Sequence, residues 1–229
     1  MTRNPRPAKI APRQVLADHV YDELIESLVD GRVGAGSALN IDALAREMEV
    51  SQTPIREALA RLEATGLVRR TALKGYRVAP ILSTEELVEL MDARLVLEPV
   101  NAFLACNRVT DPLVASLDAA IADLASAPSG PSFAEFRTYL EADERFHVLI
   151  AEAAAHRFLF SAYTALGGQV QRMRLFAGLG VTDADHAIRE HGKIRDAFAD
   201  GDAELARAAM SEHLHGVKAR AVGESLARE

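Results

Sequence analysis

From Ser83 to the C terminus the apolar residues recur at helical spacing and never in the alternation that a strand requires. A strand buried on one face needs a period of two. A helix that buries one stripe needs apolar residues at i, i+3, i+4 and i+7. An Ala-rich composition adds to the helical preference, so this stretch can fold only as an all-α antiparallel bundle. Its punctuation divides it into six helices, or at the limit seven. Ser83–Thr84–Glu85–Glu86 is a capping box opening a helix over about 84–107, and Asp111 and Pro112 open the next over 111–126. After the break Pro128–Ser129–Gly130–Pro131 come segments over 132–154 and about 157–178. Thr182 caps a helix over 183–199, and Gly201 precedes the last, over 202–221.

Three of these helices carry polar residues on stripes that otherwise read as inward. In the third the stripe is Phe136, Leu140, Asp143, His147, Ile150, Ala154; in the fifth Ala184, Ala187, His191, Ile194, Phe198. In the sixth it is Leu205 and Ala206, Ala209 and Met210, His213, Val217. Asp143 and His147 stand four apart, where helix side chains are neighbours, and an unpaired buried carboxylate is costly. Any one such His alone reads as a core histidine bonded to a carbonyl or an acid. Asp plus three His, all directed inward, reads as an N/O ligand set for a divalent metal. Zinc fits best, with nickel, manganese or iron as alternatives. His156 and His186 lie near helix ends, and His215 is about 200° round its helix from His213. All three read as surface.

Arg94 falls on the stripe Leu87, Leu90, Arg94, Leu97, Asn101. A buried guanidinium wants an anion, either an acid bound from outside or Glu98 one turn along as an internal pair. Gln169 and Arg172 in the fourth helix are further candidates for contact with a bound acid.

The first eighty residues have a different chemistry. The formal net charge is -7, yet residues 1–80 hold 12 Lys/Arg against 10 Asp/Glu, and the remainder holds 14 against 23. Pro80 marks the boundary, predicting domains at 1–80 and 81–229. Leu16, Val20, Leu24 and Leu28 predict a helix over about 14–30. Asn40 is placed to cap a short helix facing inward through Ile41, Leu44, Ala45 and Met48. Ser51 is placed to cap a third helix, with Pro54 in its first turn. That helix buries Ile55, Ala58, Leu59 and Leu62, and Gly66 stands at its C′ position. Leu67–Val68–Arg69–Arg70 and Gly75–Tyr76–Arg77–Val78 read as a β-hairpin. Helix, tight turn, helix and basic hairpin make a winged helix-turn-helix. Its candidate DNA contacts are Ser51, Gln52, Thr53, Pro54 and Arg56 at the start of the third helix, and Arg69, Arg70, Lys74 and Gly75 in the wing. Arg56 can reach a base edge or a phosphate; the wing arginines suit phosphates.

The single cysteine, Cys106, excludes a disulfide framework and a multi-cysteine zinc site. No apolar run approaches the length of a membrane span. The polar, basic, proline-dotted N terminus is no secretory signal, and a cytoplasmic location is the expectation.

The run Ser51–Gln52–Thr53–Pro54–Ile55–Arg56–Glu57–Ala58–Leu59, followed by Arg61–Leu62–Glu63 and Gly66–Leu67–Val68, resembles the recognition segment of the GntR family of bacterial transcription regulators. Leu44–Ala45 and Gly75–Tyr76–Arg77–Val78 match its second helix and wing. Gln stands at 52 where the family commonly has Arg, and Glu49 replaces a usual turn Gly, implying a different or strained turn. The second part resembles the FCD effector domain of the FadR/VanR-like subfamily through Arg94–Leu95–Val96–Leu97–Glu98, Asp143–Glu144–Arg145–Phe146–His147, Glu190–His191–Gly192–Lys193–Ile194 and His213–Leu214. His156 stands where an Asn often does. Six helices rather than seven imply the VanR-type branch. The resemblance implies a metal on Asp143, His147, His191 and His213 with a small carboxylate bound beside it. It also implies a homodimer, which a palindromic operator would match.

The function so predicted is a DNA-binding transcription regulator, a repressor by preference, responding to a small organic acid and binding double-stranded operator DNA. A purely structural or itself-sensed metal is the alternative. A metal-dependent hydrolase is the remote one: it leaves residues 1–80 idle, and Glu144, the nearest acid to the ligands, points about 100° away from them.

Overall fold

The computed structural model describes residues 13–29, 32–72, 74–128, 133–176 and 184–227. Contacts divide the chain into two compact units, Met1–Pro80 and Ile81–Glu229.

In the first unit, helix α1 (Arg13–Val29) precedes a short strand β1 (Ala38–Leu39), helices α2 (Ile41–Glu47) and α3 (Gln52–Ala64), and strands β2 (Val68–Thr71) and β3 (Gly75–Val78). Asn40 caps α2, its side chain accepting from the Ala43 amide at 2.9 Å. The turn into α3 passes through Glu49 at φ 53°, in the left-handed region. The missing turn glycine is thus answered by a strained backbone. Ser51 occupies the N-cap of α3 with no bond from its side chain to the helix. Gly66 at φ 72° ends the helix as its C′ residue.

The hairpin is antiparallel, with Val68 opposite Val78 and Thr71 opposite Gly75. The sequence pattern predicts two strands; the sheet has three, in the order β1-β3-β2, because Ala38 and Leu39 pair with Arg77 and Tyr76. Two residues are too few to carry a period, so β1 left no trace in the pattern. Val20, Leu24, Ile55, Ala58, Leu59, Leu62 and Leu67 fill the core. Arg61 ties α3 to α1, bonding Asp18 at 2.6 Å and lying over the Tyr21 ring at 4.0 Å.

The second unit comprises, among the described residues, six helices: α4 (Thr84–Cys106), α5 (Asp111–Ser126), α6 (Phe133–Ala153), α7 (Arg157–Phe176), α8 (Ala184–Ala199) and α9 (Ala203–Leu226). The predicted capping box forms at α4, with Ser83 and Glu86 exchanging side-chain-to-backbone bonds. Helix α4 runs on through Pro99, which has no N–H to give the Leu95 carbonyl. Thr110 caps α5 and Asp202 caps α9. Met91, Ala102, Ala105, Leu117, Phe146, Ile194, Phe198, Met210 and Leu214 lie in one continuous core, and α4 packs most extensively on α9. Leu205 departs from its expected inward stripe: it is 48% exposed while its neighbour Ala206 is fully buried. Residues 129–132, Thr182 and the side chain of Phe136, on which parts of the sequence reading rest, lie outside the described residues.

Candidate functional site

The helical period that places Asp143 and His147 on one stripe of α6 also fixes which way that stripe faces. Phe146 beside them is wholly buried, so α6 presents this side to the bundle. Helix α8 brings in His191 next to Ile194, and α9 brings in His213 next to Leu214. All four polar residues are at most 3% exposed. The three imidazoles converge, with ring centroids 4.8 to 5.2 Å apart. One nitrogen from each lies within 4.8 Å of the others, a group able to hold a metal ion.

Two carboxylates lie against the Nδ1 atoms of the trio. His147 Nδ1 lies 2.7 Å from Glu98 Oε2, and His213 Nδ1 lies 2.7 Å from Glu190 Oε2. For His213 the contact is a hydrogen bond, so Nδ1 carries the proton and Nε2 is the lone-pair nitrogen. Both nitrogens of His147, both of His191 and Nε2 of His213 make no aligned hydrogen bond among the described residues, the approach of His147 Nδ1 to Glu98 being an ion-pair contact only. Burial, reinforced by the neighbouring His213 and His147, pushes His191 well below the ordinary histidine pKa. Burial, with His147 beside it, does the same to His213. Both are therefore neutral at pH 7, the form that ligates a metal. Orphaned, convergent imidazoles fit a divalent ion.

Asp143 stands at the edge of the trio. Its Oδ1 is 3.6 Å from His191 Nε2 and its Oδ2 is 4.0 Å from His147 Nε2. Arg174 of α7, a residue the sequence reading does not include, forms an ion pair with Asp143 Oδ2. The cation facing Asp143 in this structure is thus a guanidinium. Phe146 stacks on His191, with centroids 4.0 Å apart and planes 6° from parallel, and so holds that ring's orientation.

Arg94 and Glu98 resolve a question left open by the sequence. Arg94 Nε donates to Glu98 Oε1 at 2.5 Å and Nη2 donates to Oε2 at 3.3 Å, both residues being buried. The internal pair forms, and Glu98 Oε2 also lies 2.7 Å from His147 Nδ1. Burial opposes the charge on Glu98. Arg94 and His147 outweigh it and hold the carboxyl well below the usual range. Gln169 and Arg172 are brought to each other: Arg172, fully buried, donates to Gln169 Oε1 at 3.2 Å. His156, His186 and His215 are exposed, as expected of them.

Glu190 is a second residue that sequence reasoning missed. Arg220 grips it with two bonds of 3.0 Å, and Gly216 makes room for the pair. A Cβ at position 216 would lie 2.8 Å from Arg220 Nη1 and 2.9 Å from Glu190 Oε1. Sequence carried no signal for this contact, since the chain neighbour of Glu190 is His191 and the histidine it supports lies on the next helix.

On the first unit, Ser51, Gln52, Thr53 and Arg56 form an exposed face at the start of α3. Gln52 bonds Asp42 of α2 through Nε2 and accepts from Arg56 Nη2 at 3.0 Å through its oxygen. Pro54 is a correction: it is buried, so it shapes the first turn and packs on the core, and it does not face outward. Arg69, Arg70, Lys74 and Gly75 are exposed along the wing, where Arg70 lies 5.9 Å from the Tyr76 ring.

A winged helix-turn-helix with an exposed polar and basic reading face, carried in one chain with a helical bundle around buried imidazoles, defines a DNA-binding transcription regulator. Residues 16–78 match the bacterial regulatory proteins of the gntR family and residues 89–216 match the FCD domain. The chain belongs to the GntR family, in the group that carries an FCD domain, and is not an enzyme. It is 30% identical over 210 residues to a probable D-xylose utilization operon transcriptional repressor of Paenarthrobacter nicotinovorans, covering 90% of this chain and 89% of that one. It is 26% identical to the regulator LutR of Bacillus subtilis, over 82% and 93% of the two chains. Among solved structures it shares its fold with McbR/YncC of E. coli at a TM-score of 0.68 and 21% identity, covering 90% and 96%. A putative GntR regulator from Rhodococcus sp. RHA1 is similar at a TM-score of 0.67 and 20% identity, covering 90% and 97%. No described helix is long and apolar enough to cross a membrane.

Proposed function

We propose that the chain is a dimeric repressor whose grip on a palindromic operator is set by a small organic acid bound beside a divalent metal, zinc by preference, in the helical unit. The observation that carries this reading is the set of converging, orphaned ring nitrogens of His147, His191 and His213. These three would hold the metal, with Asp143 as a fourth ligand once it exchanges Arg174 for the ion. A bound ion supplies a Lewis-acid anchor for a carboxylate.

Charge supports an anionic effector. Arg94, Arg172 and Arg174 already outnumber Glu98 and Asp143 in the interior, so a divalent ion adds positive charge for an acid to neutralise. Arg94, Gln169 and Arg172 are the proposed effector contacts. Repression is the preferred sense because a relative carries that word in its name.

DNA would be engaged by the exposed start of α3, with Arg56 reaching a base edge or phosphate and Ser51, Gln52 and Thr53 beside it. The wing residues Arg69, Arg70, Lys74 and Gly75 would meet the backbone. The effector acts only through its differential affinity for the arrangement that fits the operator. A coupling of about 1–3 kcal/mol changes operator affinity about 5–150-fold.

A mobility-shift assay on the chain's own promoter region, with zinc and with chelator, tests the reading. A sequence-specific shift is expected, and its absence at every metal loading refutes DNA control. If chelation unfolds the helical unit and no acid alters the shift, the metal is structural.

A further inference from the structure

Asn101 of α4 is 1% exposed, and neither its Nδ2 nor its Oδ1 meets a hydrogen-bond partner among the described residues. A buried amide without partners is unfavourable, and Asn is also a poorer helix former than Ala. Ala102 and Ala105, both fully buried on the same helix, show that a small apolar side chain suits this surface. Packing and helix propensity both argue against Asn here, so its polarity calls for a partner.

The helical period sets the direction in which that partner would lie. Residues 94, 98 and 101 are spaced four and three apart and share one face of α4. The first two reach the histidine trio: Arg94 holds Glu98, and Glu98 holds His147. Asn101 is the next polar position along that face.

The chemistry of the amide selects the partner. Nδ2 donates two hydrogen bonds and Oδ1 accepts. A carboxylate only accepts, so it would leave Oδ1 unpaired. A hydroxyl both donates and accepts, and so satisfies both ends of the side chain.

We propose that Asn101 is a specificity-determining residue that selects hydroxylated acids over the same acids without a hydroxyl. The inference rests on the carboxylate-effector reading given above and names the class of acid.

The test measures binding of matched pairs, lactate against propionate and malate against succinate, to the zinc-loaded full-length chain by titration calorimetry. Within at least one pair the hydroxylated member binds about tenfold or more tightly, since a site built to bond a hydroxyl rejects the analogue lacking it. Asn101→Leu removes that preference, leaves the unhydroxylated member's affinity within about twofold, and keeps the zinc stoichiometry. Asn101→Ala provides the same readout with no added bulk, should Leu disturb α4. Equal binding of both members by the natural chain, as expected if only water partners Asn101, overturns the proposal while leaving the carboxylate reading standing. So does a preference that survives both substitutions. Failure of all four acids to bind the zinc-loaded chain overturns the carboxylate reading and this inference with it.

Discussion

Replacing Glu190 by Ala removes the carboxylate that lies 2.7 Å from His213 Nδ1, together with the two 3.0 Å bonds that Arg220 makes to it. Without the carboxylate, the proton on His213 is no longer held on Nδ1, and the fraction of rings offering Nε2 to the interior falls. Loss of such an outer partner weakens metal binding about 10- to 100-fold, or about 1.4–2.7 kcal/mol. The ion pair with Arg220 is partly exposed, with side-chain exposures of 17% and 24%, so stability of the metal-free chain should fall by only about 1 kcal/mol. Zinc affinity, measured by competition with a chromophoric chelator at pH 7, should therefore drop far more than the melting temperature suggests. Glu190→Gln keeps a neutral acceptor oxygen and should recover part of the loss. Gly216→Ala should give an intermediate effect, because its Cβ would press on the Glu190–Arg220 pair. Unchanged zinc affinity in a folded Glu190→Ala chain would refute the argument that this carboxylate sets the tautomer of His213.

Three further outcomes are expected. Arg56→Ala should weaken operator binding by about 1–3 kcal/mol if the guanidinium reads a base; unchanged affinity in a salt-matched mobility shift would mean that α3 does not enter the groove. His191→Ala should lower zinc stoichiometry by elemental analysis of the full-length chain, and a full complement of metal would dismiss the histidine trio as the site. Glu49→Gly should slow hydrogen exchange of the α3 amides, since it relieves a left-handed non-glycine residue at a gain of about 1 kcal/mol; faster exchange would show that the turn is not strained.

The winged unit was largely legible because its signals are local. Asn40, Gly66 and the run of apolar positions through α3 act within one helical turn of themselves, and each appears where its chemistry requires. Glu49 was legible as a conflict, a side chain where a turn favours none, and the backbone records that conflict at φ 53°. What failed was either too short or too dependent on surroundings. Strand β1 had no period to show, Leu205 was turned outward, and the first turn of α3 buried Pro54.

In the helical unit, sequence alone determined which residues share a face, because a helix has 3.6 residues per turn whatever it packs against. That was enough to set Asp143 with His147 and to turn His191 and His213 inward. Tertiary structure alone decided what each of them meets. Glu190 was a plain acid in the sequence and Glu98 a candidate partner of Arg94; packing of α4 on α6 and of α8 on α9 brought them to 2.7 Å from His147 and His213. Arg174 became the counter-charge of Asp143 only when α7 came alongside. Asn101 became conspicuous only once burial left it without a partner among the described residues. Periodicity is a property of one helix, whereas a hydrogen-bond partner on another helix is chosen by how the two lie together.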